Sequence, residues 1–274
     1  MPMVRRSPSF SLWIDFLTKM PYELRCVIQK VKTVLGKYKT IFLRRLFPGW
    51  RQADGGGHEL AFWANWISTR VVSPDKDFQF RIDTNRPLQD NFVRLIPASR
   101  SQPKILDVGC GPLSTVGLRF PGGTVALTGA DPLAGHYREL LLEHGALPNC
   151  ELVACDGEAL LEKFGPDSFD LVCSINALDH SRSPVKVFSN MAAVCRPGGY
   201  LYFSHFEDEG ITERYTGMHQ WNLALQKGRM MVNNGRMTFD FHPEQAGMET
   251  VSAKANPAEN RIVLEWVLRK KVEA

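Results

Sequence analysis

KILDVGCGPLS, Lys104–Ser114, is a short apolar run that takes in one acidic residue and opens into a glycine turn. Ile105, Leu106 and Val108 are the residue types of a buried strand. Asp107 lies near its end, and Gly109 and Gly111 follow in the turn. Glycines in such a place let backbone pass close to a ligand, because they adopt positive φ and carry no Cβ. The spacing is G-x-G followed by Pro112, so the stretch is neither the full dinucleotide fingerprint nor a phosphate-binding P-loop.

Outward from this turn the pattern of strand, turn and helix repeats. TVALTGAD, CELVACD, FDLVCSIN and GYLYFSHF read as strands, with HYRELLLEHG and SPVKVFSNMAAVC as helices between them. That alternation predicts an α/β doubly wound fold with a mostly parallel sheet. RMTFDF and RIVLEWVLRKK are two further strand candidates toward the C-terminal end. Asp131 closes the second strand, where a carboxylate accepts both hydroxyls of a ribose. Asp156 closes the third, in position for an adenine amino group or neighbouring backbone donors. Each aspartate alone is equally a helix cap or a turn residue. Together with the glycines they line the carboxyl edge of consecutive strands, the ligand edge of an open sheet.

In order and spacing, residues 104–205 resemble the class I S-adenosylmethionine-dependent methyltransferases. ILDVGCGP is similar to their first motif, GAD to the acidic end of their second strand and CDGE to the third-strand motif. FDLVCSINALDH is similar to the fourth-strand motif and RPGGYL to the turn before the fifth strand. The resemblance implies a seven-stranded, mostly parallel Rossmann-like sheet, with RMTFDF and RIVLEWVLRKK as its closing antiparallel pair. It also implies S-adenosyl-L-methionine as cofactor and S-adenosyl-L-homocysteine as product. Carried onto this sequence, it places Asp107, Gly109 and Gly111 around the methionine portion and Asp131 on the ribose. Asp156 and Gly157 would lie beside adenine, and Asn176 and Ala177 beneath the sulfonium. INALDHSRSP, SHFEDEG and MHQWN look most like a bacterial group of poorly defined acceptor, some of it associated with glycan or cell-surface biosynthesis. A nicotinamide dinucleotide fits poorly, since without the third glycine and with Pro112 in the turn a pyrophosphate would lose part of its backbone cradle.

A sulfonium methyl is already activated, so the protein has mainly to align an acceptor, exclude water and remove a proton if the acceptor is a hydroxyl. His180, His205 and His219 fall where the acceptor is expected, and an imidazole suits the proton. Each has a plainer reading beside the catalytic one: a packed loop histidine at 180, a strand-end side chain at 205, a pin between insert and sheet at 219. Asp179, Glu207, Asp208 and Glu209 either orient a histidine, accept from sugar hydroxyls, bind a divalent metal or form a solvated turn. No metal is expected.

The chain of 274 residues is 44% hydrophobic and 23% charged, the composition of a folded protein able to bury a core without staples. Its six cysteines form no CxxC pair, which excludes a structural zinc signal and makes a reducing compartment the default. The net charge of +4 conceals an asymmetry, because residues 1–50 carry ten Lys or Arg against two acidic residues. Residues 1–50 read as a basic amphipathic helical extension, either a cap with its charged face in water or an interfacial helix on anionic lipid. Residues 51–99 read as a helical cap and linker. ADGGGH, 53–58, is the linker, and ELAFWANWISTRV is a helix with Phe62, Trp63 and Trp66 on an apolar side, serving the core or the wall of an acceptor pocket. Residues 100–274 form the cofactor domain, with an insert at 206–236.

No secretory cleavage site or membrane-spanning apolar run is evident, so the expected location is cytoplasmic, with peripheral contact at the inner membrane face as the variant. NALD stands where an NPPY-like tetrad would mark amino-directed nucleic-acid methylation, and the main domain is net acidic, which argues against nucleic acid. The preferred reading is O-methylation of a hydroxyl on a sugar, glycan or lipid-linked small molecule. The alternatives are an N- or O-methyltransferase of a soluble metabolite and a catalytically silent cofactor-binding interaction module. Oligomeric state is not written in the sequence.

Overall fold

The structure, a computed structural model, describes residues 55–96 and 100–272. The chain divides into two compact units, Met1–Pro48 and Gly49–Ala274, and every described element belongs to the second. The basic segment 1–50, with the amphipathic helix expected there, lies outside the described residues.

Three helices come first: α1 (Gly55–Val72), α2 (Lys76–Ile82) and α3 (Asp90–Val93). Then follow β1 (Lys104–Val108), the small hairpin of β2 (Arg119–Phe120) and β3 (Gly123–Thr124), β4 (Ala126–Asp131), α4 (Ala134–Glu143) and β5 (Glu151–Ala154). The second half holds α5 (Leu160–Phe164), β6 (Phe169–Ile175), α6 (Pro184–Val194) and β7 (Cys195–Phe206). After α7 (Glu209–Thr212), β8 (Asn222–Gln226), β9 (Arg229–Asn233) and β10 (Thr238–Asp240) form a separate three-stranded sheet. β11 (Met248–Ala258) and β12 (Arg261–Lys270) close the chain.

The main sheet runs β11-β12-β7-β6-β1-β4-β5. β1 pairs in parallel with β4 on one side and β6 on the other, and β12 runs antiparallel to both β7 and β11. The chain steps outward from β1 to β4 and β5, then crosses back to β6. That reversal leaves a crevice beyond the carboxyl ends of β1 and β6, where ligands of open α/β sheets bind. Gly109, Gly111 and Asn176 stand at this crevice.

Burial accounts for the strand choice. β6 is buried at six consecutive positions, as expected of a parallel strand covered on both faces. On one face Phe188 of α6 stacks on Trp266 of β12 and on Phe203 of β7, at 5.8 and 6.0 Å between ring centroids. On the other, Leu171 and Cys173 of β6 cluster with Phe92 and Tyr202, and a further cluster joins Trp66 and Ile67 of α1 to Tyr137 and Leu141 of α4. α6 begins where its sequence says it should: Ser183 caps by accepting from Lys186 N, and Pro184 occupies the first turn.

Four expectations change. The ADGGGH linker is helical from Gly55 onward, because burial of Trp66 and Ile67 on the domain outweighs the poor helix propensity of three glycines. Phe62 does not share the buried side with Trp66 and is 54% exposed. RMTFDF does not join the main sheet; Thr238–Asp240 pairs with β9, so the insert runs on past residue 236. The partner of β12 is METVSAKANPA, an edge strand mostly open to solvent whose polar residues and Pro257 hide its strand character.

Trp266 is fully buried, yet its Nε1 finds no partner. Trp266→Ala is expected to lower unfolding free energy by about 3–5 kcal/mol, a large part of a typical domain's stability. Trp266→Phe, which removes the unpaired donor, should lose less than half of that. Urea denaturation of the three proteins checks it.

Candidate functional site

Gly109 and Gly111 both hold positive φ, +74° and +62°. Gly109 N donates to Ala130 O at 2.8 Å, tying the turn to β4. A Cβ added at Gly109 would lie 2.3 Å from the Cβ of Ala177, so only glycine allows the turn after β6 to come this close. That second turn is held in its own way. Asn176, at φ +50°, donates from its backbone N to Ser204 O at 2.8 Å, and its Oδ1 accepts from Phe206 N.

The acidic residues divide in role. Asp107 faces inward, accepting from Ser114 Oγ at 2.6 Å and from the Cys173 thiol, and burial pushes its carboxyl up. It therefore shapes the turn from below. Asp131 accepts from Leu133 N at 2.9 Å and Gly111 N at 3.2 Å. Burial pushes its carboxyl up to about 6 against the pull of these two donors. Asp156 sits farther out, held by Arg182 Nη2 at 2.8 Å. Beside it a Cβ on Gly157 would meet Val187 of α6 at 3.0 Å.

Trp63 is one of the aromatics that the sequence offers to the core or to a pocket wall, whereas Arg86 and Asn149 are not visible there. Trp63 of α1 lies over the turn, its ring 3.2 Å from where a Cβ of Gly111 would be, and its Nε1 donates to Glu59 at 2.8 Å. Arg86 donates to Thr115 O and Val116 O, and Asn149 brackets Ser114 by accepting from its N and donating to its O. Arg86 and Asn149 come from distant segments, and nothing in local sequence pattern marks them.

The three histidines meet on one carboxylate. Asp179 is fully buried; Oδ1 lies 2.9 Å from His205 Nε2, and Oδ2 lies 2.7 Å from His219 Nδ1. His205 Nδ1 is 2.8 Å from Phe206 O. Both ring nitrogens of His205 thus face oxygens that only accept, which assigns a hydrogen to each and makes the ring an imidazolium. Burial alone would lower His205 and raise Asp179. Their mutual attraction wins, holding His205 above its ordinary value and Asp179 well below its own. His219 is likewise raised by Asp179 against burial, whereas burial dominates at His180 and lowers it.

His180 Nε2 lies 3.1 Å from His219 Nδ1, and the two rings meet edge to face at 4.5 Å. The side chains of His219 and His180 are 24% and 19% exposed, against 2% for His205. His205 therefore does not reach an acceptor. It positions Asp179, and only the other two rings open outward. Of the acidic run 207–209, Glu209 is buried rather than a solvated turn residue, and it bonds Arg261, at 3.0 and 2.9 Å, rather than a histidine. Ala177 links the two halves, touching Gly109 and leading directly into the Leu178–His180 turn.

A family model described as a methyltransferase domain matches residues 106–203. The chain carries a class I S-adenosylmethionine-dependent methyltransferase domain. A ubiquinone biosynthesis O-methyltransferase of Burkholderia thailandensis is 30% identical over 156 residues, covering 54% of this chain and 62% of that protein. The protein of the same name from Thiobacillus denitrificans is 32% identical over 140 residues, covering 50% and 58%. The chain therefore spans less than two thirds of the curated relatives it matches. Among solved structures, a SAM-dependent methyltransferase from Methanosarcina mazei aligns at 18% identity and a TM-score of 0.43, covering 69% of this chain and all of that one.

The methyltransferase domain's residues fit its cofactor. Each oxygen of Asp131 accepts one backbone N–H and keeps a further lone pair for a ribose hydroxyl. The two glycines leave backbone bare at the same edge. Gly109→Ala is expected to weaken S-adenosylhomocysteine binding at least tenfold, and a second change, Ala177→Gly, should recover part of it by removing the clashing methyl. Hydroxyl donors favour the ionised carboxylate, so binding must strip a proton from Asp131 below about pH 6. S-adenosylhomocysteine affinity should accordingly be about tenfold weaker at pH 5 than at pH 7. In Asp131→Asn the affinity should be low at both values. Isothermal titration calorimetry checks each case.

Proposed function

We propose that the protein transfers a methyl group from S-adenosylmethionine to a hydroxyl oxygen of a small or lipid-linked polyhydroxylated acceptor, a sugar, glycan or related metabolite. The observation that carries this reading is the Asp179–His219 pair. With Nδ1 committed to Asp179 at 2.7 Å, the proton-accepting nitrogen of His219 is Nε2 on its outer edge. A hydroxyl acceptor needs such a base more than an amine does.

The cofactor, when bound, supplies a methyl already activated by its sulfonium. Gly109, Gly111 and Asp131 would hold it, and Trp63 covers the turn against water. Nε2 of His219 takes the hydroxyl proton, and the carboxylate of Asp179 balances the imidazolium that results. His205 keeps that carboxylate oriented through Nε2. The curated relatives named above are O-methyltransferases, which favours oxygen as the acceptor atom. The lipid-linked alternative draws support from the ten Lys or Arg in residues 1–50, a charge that anionic lipid attracts.

Methyl-labelled S-adenosylmethionine incubated with the protein and a fractionated bacterial extract, then partitioned, tests the reading. Label in the organic phase supports a lipid-linked acceptor, and label in the aqueous phase a soluble one. No label, with cofactor binding confirmed, supports a silent binding module instead. His219→Gln should lower turnover by about 10²–10⁴ while leaving S-adenosylhomocysteine affinity unchanged. Undiminished turnover would remove His219 from the chemistry.

A further inference from the structure

We propose that Asp179, His180 and His219 bind a divalent transition metal of the zinc class. The site deepens the reading above, on which its catalytic role rests, although the binding of the ion does not depend on that reading.

The geometry comes first. One donor atom from each of the three side chains lies within 4.8 Å of the others. Asp179 Oδ2 to His219 Nδ1 is 2.7 Å and His180 Nε2 to His219 Nδ1 is 3.1 Å, while His180 Nε2 stands 3.7 Å from the other carboxylate oxygen, Oδ1. Ligands about 2.0–2.1 Å from a tetrahedral ion stand about 3.3 Å apart. An ion held by Oδ2 and the two rings therefore needs Oδ2 and His219 to part by roughly half an ångström, while the rings are already near that spacing.

Hydrogen accounting points the same way. A ring nitrogen has one in-plane site, so His219 Nδ1 cannot donate to Asp179 and also accept from His180. With that hydrogen given to Asp179, His180 Nε2 is directed at a donor already engaged. Three electron-pair donors thus converge on a point that a single hydrogen serves, and a cation there satisfies all three.

The surroundings are those of a built site. His205 Nε2 donates to the Asp179 oxygen nearer to it, and so aims the carboxylate, the outer support that metal sites use. Asp179 O accepts from Gln220 N at 3.0 Å, and Trp221 Nε1 donates to Ser181 O at 2.8 Å. These two bonds lock the turn carrying Asp179 and His180 to the insert carrying His219. The side chains of both ligand histidines are partly exposed, so the cluster is not sealed from solvent.

Two imidazoles and one carboxylate suit zinc or a neighbouring first-row ion over magnesium or calcium, which prefer oxygen throughout. An acceptor hydroxyl in an open position of the ion would become more acidic. In that form His219 would be a ligand rather than the base, and the ion would lower the hydroxyl's pKa enough for its proton to pass to solvent water.

The test is a zinc titration of chelator-treated full-length protein by competition with a chromophoric chelator, with Co²⁺ substituted for its visible spectrum. Wild type should take up one equivalent, and His180→Ala and His219→Ala should each weaken binding by about 100-fold. Wild type without stoichiometric metal, or undiminished binding in both variants, would overturn the site and leave the Asp179–His219 pair as the base. S-adenosylhomocysteine titrated into the same samples reports folding and the methyltransferase reading separately. Should a variant lose that binding too, the wild-type Co²⁺ spectrum decides: nitrogen ligation supports the site, and an aquo-ion spectrum overturns it.

Discussion

The constraint on which the site depends is the approach of Gly109 to Ala177. No side chain fits between the turn after β1 and the turn after β6, so two loops from non-adjacent parts of the chain are held in direct contact. One carries the cofactor cradle and the other leads within three residues to the histidine cluster. Their contact fixes the separation between the glycine turn and the histidine cluster without any dedicated linking side chain. Proximity of this kind is the main contribution an enzyme makes when the transferred group is already activated.

The second dependence is on a buried charge. Asp179 sits in an environment that would reject an isolated carboxylate, and His205 and His219 make it tolerable. Breaking such an arrangement from one side leaves the other charge stranded, while building it adds little net stability. Its value lies in specification. With His205 spending both nitrogens on fixed oxygens, the carboxylate cannot turn, and the outward rings inherit that order. Each histidine then differs from its neighbours by environment alone: cationic and sealed at 205, carboxylate-paired at 219, burial-lowered at 180.

α1 contributes in the same spirit from the other side. Trp63 lies over the glycine turn because Trp66 and Ile67, on the same helix, are buried against α4. Packing energy placed in the core thus positions a cover at the cofactor edge. Glu59, one turn earlier on the same helix, accepts from the Trp63 indole N–H and fixes its orientation.

Local chemistry in the sequence determined the central strands, the helix opening at Ser183-Pro184 and the glycine turn. Continuous apolar runs, a capping serine and paired glycines carry their meaning within a few residues. The doubly wound sheet and the cofactor edge followed from their order. Tertiary structure decided the start of α1, the identity of the edge strand beside β12 and the reach of the insert. There, packing or pairing with distant partners overrode glycine content and polar composition. It also decided how each histidine is held. His180, His205 and His219 look alike in one dimension, and only the fold brings them to a single buried aspartate, because proton location depends on which atoms face each ring nitrogen across the folded chain.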